Sequence, residues 1–280
     1  MDLTLLQEKD TFLRFVKDKL ATVPVDYKEK NLQIEKANQN GSQNLKAGVV
    51  LLLNFKTIQG KSEYVFQLIK RSEKVSQSGD ISCPGGMLQP GLDKILSCFL
   101  KTGIIPAMRS LTVDHILKED KETISLIRLY LSTALREAWE EVGLNPFNTM
   151  FLGALPSYSL TILARTIFPV VCLTPKSFTF KLSSEVEKVL EIPLSFFFNG
   201  DNYAMLNIKT SLGEDTEPLQ YQMPCLVIPD GRKGEDILWG ATFNIITNFL
   251  RIIFGDNLPS SSSSRTLNKV LTLNYISGKD

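Results

Sequence analysis

The sequence predicts an α/β fold. Residues 47–55 and 164–173 are almost wholly apolar over strand length, the pattern of strands covered on both faces. Residues 121–142 repeat apolar side chains at the helical period instead, with Ile127, Leu131, Leu135, Ala138 and Val142 on one stripe. Residues 239–254 give a second, more apolar helix.

The elements follow in order. Residues 1–20 space Phe12, Leu13, Phe15 and Leu20 among charged residues, which predicts a short amphipathic helix; the charge order is not that of a signal peptide. A polar connector rich in Lys, Asn and Gln runs to residue 45. Strands are expected at 47–55 and 62–68, joined by a polar loop containing Gly60. Residues 76–86 are turn-rich and end in Gly85-Gly86, where the backbone can bend as no side chain would allow. Residues 91–120 mix helix and loop, with breaks near Gly103 and Pro106. The helix over 121–142 stops at Gly143, a residue suited to the left-handed position after a helix. Strands follow at 150–155 and 164–173, then a strand over 185–198 that ends in a short turn. A second β region at about 218–229 ends at the turn signal Pro229-Asp-Gly-Arg. The serine run at 260–264 reads as flexible, and 265–280 as ambiguous.

Composition excludes several function classes. A net charge of +1 gives no reason to expect nucleic acid or an anionic membrane surface as partner. No apolar run approaches the roughly 18 residues that cross a bilayer. The four cysteines (Cys83, Cys98, Cys172, Cys225) form no CxxC pair and no zinc spacing, so they are expected as reduced core thiols of a cytoplasmic protein. His115 is the one histidine and lies in a polar stretch. Relays built on Ser-His or Cys-His therefore need His115, and proton transfer falls to carboxylates, lysines or metal-bound water.

The most informative stretch is 136–144, Arg-Glu-Ala-Trp-Glu-Glu-Val-Gly-Leu. On a helix Glu137, Glu140 and Glu141 stand at i, i+3 and i+4, within about 5–6 Å of one another. On a helical wheel they fall away from the apolar stripe. In a cleft of effective dielectric near 20, each like-charge pair costs on the order of 2–3 kcal/mol. A hard cation such as Mg²⁺ or Mn²⁺ would relieve that repulsion. The bland alternative is a solvated acidic face.

The Arg-Glu-apolar-x-Glu-Glu-x-Gly-apolar pattern of 136–144 resembles the second half of the Nudix box, and Gly85-Gly86 resembles its start. Residues 68–72 (Leu-Ile-Lys-Arg-Ser) with 79–86, residues 185–195 and residues 237–242 resemble segments of the coenzyme A diphosphatase-like branch, in the right order over roughly 45–255. The resemblance implies an α/β/α sandwich with a mixed sheet, in a domain over 46–258. An N-terminal extension (1–45), an insertion at about 91–120 and a Ser-rich tail (259–280) would decorate it. It implies a hydrolase that splits a pyrophosphate bond in a nucleoside diphosphate derivative, coenzyme A or an acyl-coenzyme A leading.

The resemblance also implies roles. Glu137, Glu140 and Glu141 would hold Mg²⁺ or Mn²⁺, Arg136 would orient them, and Glu185, with Glu187 as runner-up, would enter as base or extra ligand. Gly85 and Gly86 would bring backbone amides to the site, and Lys70 and Arg71 would contact phosphate. The partner is a small nucleotide; nucleic acid and membrane are not expected, and the apolar content of the insertion is compatible with a homodimer. Trp139 is expected to pack.

The sequence departs from the family pattern in three ways. Arg136 follows Gly86 by 50 positions, which predicts the insertion. The acidic residue expected near 92 is replaced by Leu92, with Asp93 beside it. Ser76, Gln77 and Cys83 stand where the branch carries Arg, His and Phe. These departures keep open an alternative, a non-catalytic module on the same fold that binds a nucleotide or a partner.

Overall fold

The computed structural model describes residues 3–58, 60–109, 120–160, 163–174, 178–211, 220–230, 234–259, 265–272 and 275. His115 and the serine run lie outside these residues.

The architecture is mixed α/β, as expected. The larger sheet is built on β1 (Leu45–Ile58), which pairs antiparallel with β2 (Lys61–Arg71) and parallel with β7 (Arg165–Leu173). Beyond β2 come β3 (Ile81–Ser82) and β8 (Val186–Pro193); beyond β7 come β5 (Met150–Ala154) and β6 (Tyr158–Leu160). The short β4 (Gly85–Met87) pairs with the start of β1. A second sheet of four strands runs β11 (Glu235–Leu238), β10 (Gln220–Pro229), β9 (Tyr203–Ser211), β12 (Thr266–Thr272). Its β12 pairs parallel with β9, so both sheets are mixed.

Alternation along β1 decides the layers, because successive side chains leave a strand on opposite faces. Leu51 and Leu53 enter one core with residues of α1 (Lys9–Leu20) and α5 (Gly240–Phe254). Val50 and Leu52 enter another with residues of α2 (Tyr27–Gln39) and α4 (Lys121–Val142). The large sheet is therefore sandwiched between helices. A third, smaller core lies in the second sheet, around Leu206, Ile208, Cys225 and Val227.

The helix over 121–142 ends as expected. The Asp120 side chain accepts from the Glu122 amide at 2.9 Å, and Gly143 takes φ +72° after the last turn. Residues 27–39 are a correction: the expected connector is a helix. Its Tyr27 and Ile34, two turns apart, are buried, while apart from the exposed Leu32 the rest of its surface is mostly polar. Tyr27 stands edge-on to Tyr130 and Phe168, and its hydroxyl donates to the Pro169 carbonyl at 2.6 Å. The N-terminal residues are thus integral to the cores. Phe12 is fully buried against Tyr64, ring centroids 4.8 Å apart.

The inserted region forms α3 (Pro90–Thr102) and a short turn at Pro106–Met108. It packs on the domain through Leu100, Ile105, Ala107 and Met108, while Leu92, Ile95, Phe99 and Ile104 stay exposed. Trp139 does not pack; it is 61% exposed beside that apolar surface. The cysteines are free, with Cys83, Cys172 and Cys225 buried; Cys98 is exposed rather than in the core. No described helix is long and apolar enough to cross a membrane.

Candidate functional site

The last turns of α4 carry Arg136, Glu137, Glu140 and Glu141, and the β3–β4 segment crosses them. Gly85 has φ +146°, and a Cβ there would strike the Gly48 carbonyl and Val49, so only glycine fits. A Cβ on Gly86 would come within 2.6–2.8 Å of the Glu137 carboxylate. The glycine pair therefore lies directly on the acidic helix. The Gly85 amide donates to Glu141 Oε2 at 2.9 Å.

The three glutamates are not equivalent. Glu141 is buried and Glu137 partly so, whereas the side chain of Glu140 is 57% exposed. The helical wheel registers the apolar stripe but not the segment that covers the opposite side, and it is that segment which buries Glu141. Burial pushes the Glu141 carboxyl up to about 8, against the Gly85 amide and with help from the negative charges of Glu137 and Glu185. Burial likewise raises Glu137, opposed by Arg136. Glu185 is exposed, yet its charge reaches Glu141, so it stands at the edge of the same group.

Arg136 organises this cluster from beneath. Its Nη1 donates to Glu137 Oε1 at 2.8 Å and lies 3.4 Å from Glu140 Oε2. Its Nε and Nη2 meet both oxygens of Asp93, at 2.8 and 3.3 Å, and Nη2 also donates to the Met87 carbonyl at 3.0 Å. Burial acts to lower the guanidinium's pKa, but hydrogen bonds and charge from Asp93 and Glu137 raise it overall. Asp93 is wholly buried and accepts two further bonds, from Thr133 Oγ1 and the Gln89 amide, both at 2.8 Å. Asp93, one residue after Leu92, supplies the buried carboxylate that meets Arg136. Leu92 itself is exposed.

On the other side of the glycine pair lies a cavity of about 420 Å³ between the two sheets and the start of α5. Gly85, Gly86, Cys83 and Arg71 line it, with Arg165, Trp239, Tyr158 and Tyr275 further along. Burial pushes the Cys83 thiol up to about 12, which removes it as a nucleophile. Arg71 donates from Nε to the Ser76 carbonyl at 2.9 Å, and its charge lowers the Glu141 carboxyl. Lys70 stands apart from the cavity: its ammonium pairs with Asp236 at 3.0 Å and Glu187 at 3.4 Å. The two expected phosphate contacts are thus separated, as alternation along β2 requires. Arg165 had one sequence signal, a lone charge opening an apolar run.

Among the described residues no three His, Cys, Asp or Glu side chains stand close enough to grip one ion together. Glu137 and Glu141 do share the glycine wall, and hard carboxylate oxygens on one helix suit Mg²⁺ or Mn²⁺. The donor chemistry fits a divalent cation with two ligands in place. Arg136 draws Glu140, the third, aside.

No family model and no curated protein matches the sequence. Solved structures similar to this chain include an Ap4A hydrolase of C. elegans in a binary complex (15% identity, 54% of this chain and 81% of that one, TM-score 0.32). A MutT protein of Methanosarcina mazei Go1 aligns at 18% identity over 56% of this chain and 83% of its own, TM-score 0.31. The NUDIX domain of Shewanella oneidensis NrtR, complexed with ADP ribose, aligns at 15% over 56% and 77%, TM-score 0.30. Likenesses this distant leave the family of the chain to be decided by its site chemistry.

Proposed function

We propose that the chain is a Nudix-type hydrolase that cleaves a phosphoanhydride in a nucleoside diphosphate derivative. The observation that carries this reading is the packing of Glu137 and Glu141 against Gly86 and Gly85, beside an arginine-lined cavity. Glu137 and Glu141 would hold Mg²⁺ or Mn²⁺, and Glu140 or Glu185 would join only after a side-chain movement. A bound cation would supply charge neutralisation at the anhydride and a water of lowered pKa. Arg136, locked by Asp93, sets the rotamers of Glu137 and Glu140. Arg71 offers a guanidinium to the phosphate oxygens from the cavity side. Glu141, whose carboxyl is pushed up to about 8, suits proton transfer near neutral pH when no cation claims it.

Coenzyme A or an acyl derivative leads the substrate list, followed by NADH, nucleotide sugars, dinucleoside polyphosphates and capped RNA. The test is a substrate panel with Mg²⁺, products read by mass, using wild type and Glu140→Gln. Turnover that falls by orders of magnitude in a folded variant supports the reading; equal turnover refutes the metal role. A second reading, a non-catalytic nucleotide-binding module, is favoured by the outward Glu140 and the incomplete ligand set. Binding across the panel without phosphate-ester products would select it.

A further inference from the structure

The described residues carry ten exposed large apolar side chains, and six of them gather on one face. Leu92, Ile95 and Phe99 stand at i, i+3 and i+7 on α3 and share one stripe, while Leu100 on another side of that helix is buried on the domain. Ile104 follows the helix, Trp139 projects from α4, and Phe147 comes from the turn after Gly143. All of these but Ile95 line a groove of about 380 Å³ between the same elements. The polar residues of the groove are Ser132, whose hydroxyl donates to the Arg128 carbonyl, and the Arg136–Glu140 pair. The other four exposed side chains are dispersed: Leu32 on α2, Leu45 on β1, Leu182 in the loop before β8 and Val270 on β12.

The size of this face narrows what covers it. Exposed fractions of 39–61% leave the six residues on the order of 700 Å² of open surface, at roughly 200–250 Å² for each whole residue. The largest apolar patch on a typical monomer is about 300–600 Å². A standard interface takes about 800 Å² from each partner, so this one face supplies most of one side. A head-to-tail contact would need two unlike surfaces, and the described residues hold one apolar face of this size. A twofold contact uses the same face twice. The shape also matches itself, because each copy brings both a hollow and the projecting Trp139 ring. Every copy carries this surface, so a second copy is the partner always present at equal concentration.

We propose that the face formed by α3, Ile104, Trp139 and Phe147 is the interface of a twofold homodimer. The occupant of each groove is the same face of a second copy. Burial of these side chains drives the association, and the Trp139 ring is its largest anchor. The inserted region that separates Gly86 from Arg136 thereby gains a function, since α3 and Ile104 belong to it. The interface also reaches the acidic helix, because Arg136 and Glu140 line the groove. A second copy seated there covers the open flank of Glu140. The inference does not depend on the hydrolase reading; a non-catalytic module would pair through the same face.

The experiment is sedimentation equilibrium of the full chain, in reducing buffer because Cys98 is exposed on α3. Over a range of about 1–200 µM, wild type should reach twice the mass of one chain. Ile95→Glu and Trp139→Glu place a charge at exposed positions on two different helices. Each should raise the dimer dissociation constant about a hundredfold or more, while the far-ultraviolet circular dichroism stays that of wild type. Val270→Glu is the control: Val270 is as exposed as Ile95, at 57%, but lies on β12, and its variant should remain dimeric. A wild type that stays monomeric at about 200 µM would overturn the proposal. Flotation of that monomer with phosphatidylcholine–phosphatidylserine vesicles would then assign the face to a lipid surface instead. A dimer that persists in both face variants, or that Val270→Glu also dissociates, would place the contact elsewhere and overturn it equally.

Discussion

Glu141→Gln gives a prediction whose sign runs against ordinary expectation for a buried polar residue. The folded carboxyl keeps its proton up to about pH 8, whereas its ordinary value is 4.5. Between those values the folded state binds a proton that the unfolded chain has released, so stability falls as pH rises. At about 1.4 kcal/mol per pH unit, the window of about 3.5 units takes on the order of 5 kcal/mol from the fold by pH 9. That figure is an upper bound, because Glu137 shares the same burial and can adjust. Glutamine keeps an oxygen for the Gly85 amide and never ionises. The variant should match wild type near pH 5 and exceed it by about 2–5 kcal/mol at pH 9 in EDTA. Urea denaturation across pH 5–9 reads this directly. Millimolar Mg²⁺ should restore wild type at high pH and leave the variant unmoved. A wild-type stability that is flat over this range, or a variant weaker at pH 9, would mean that Glu141 is not held protonated in the fold.

Asp93→Asn strands a guanidinium whose side chain is 5% exposed. It should cost about 3–5 kcal/mol by urea denaturation; a change under 1 would mean that the pair holds nothing. Gly86→Ala pushes a methyl into the Glu137 carboxylate, so turnover should fall about a hundredfold while the melting temperature shifts little. A variant that unfolds, or one with full activity, would contradict that placement. Phe12→Ala should cost about 3–5 kcal/mol, as the loss of a large core side chain does. A negligible effect would show that the N-terminal helix is dispensable.

Elements defined by their own periodicity were legible in the sequence. The helix ending at Gly143, the strands flanking residue 60 and the apolar run over 164–173 all stand where the pattern puts them. Elements defined by a distant partner were not. The helix from Tyr27 shows only two fully buried side chains, too few to rise above its polar composition. The strand over 266–272 alternates weakly and gains its identity only by lying parallel to β9. The acidic motif was legible, but its geometry was not. Asp93 reaches Arg136 from 43 positions away, and Glu141 is buried by a loop rather than by its own helix. The cavity joins residues from β2, β7 and α5, so no local window contains it.

In the proposed reaction the carboxylates of Glu137 and Glu141 grip a divalent cation. Titration of Mn²⁺ into the protein, followed by electron paramagnetic resonance, measures this without knowledge of the substrate. Wild type should bind Mn²⁺ and quench the free-ion signal, and Glu137→Gln/Glu141→Gln should leave that signal intact while staying folded. Equal binding by both proteins, or none by wild type at millimolar Mn²⁺, would mean that these two carboxylates are not a cation site.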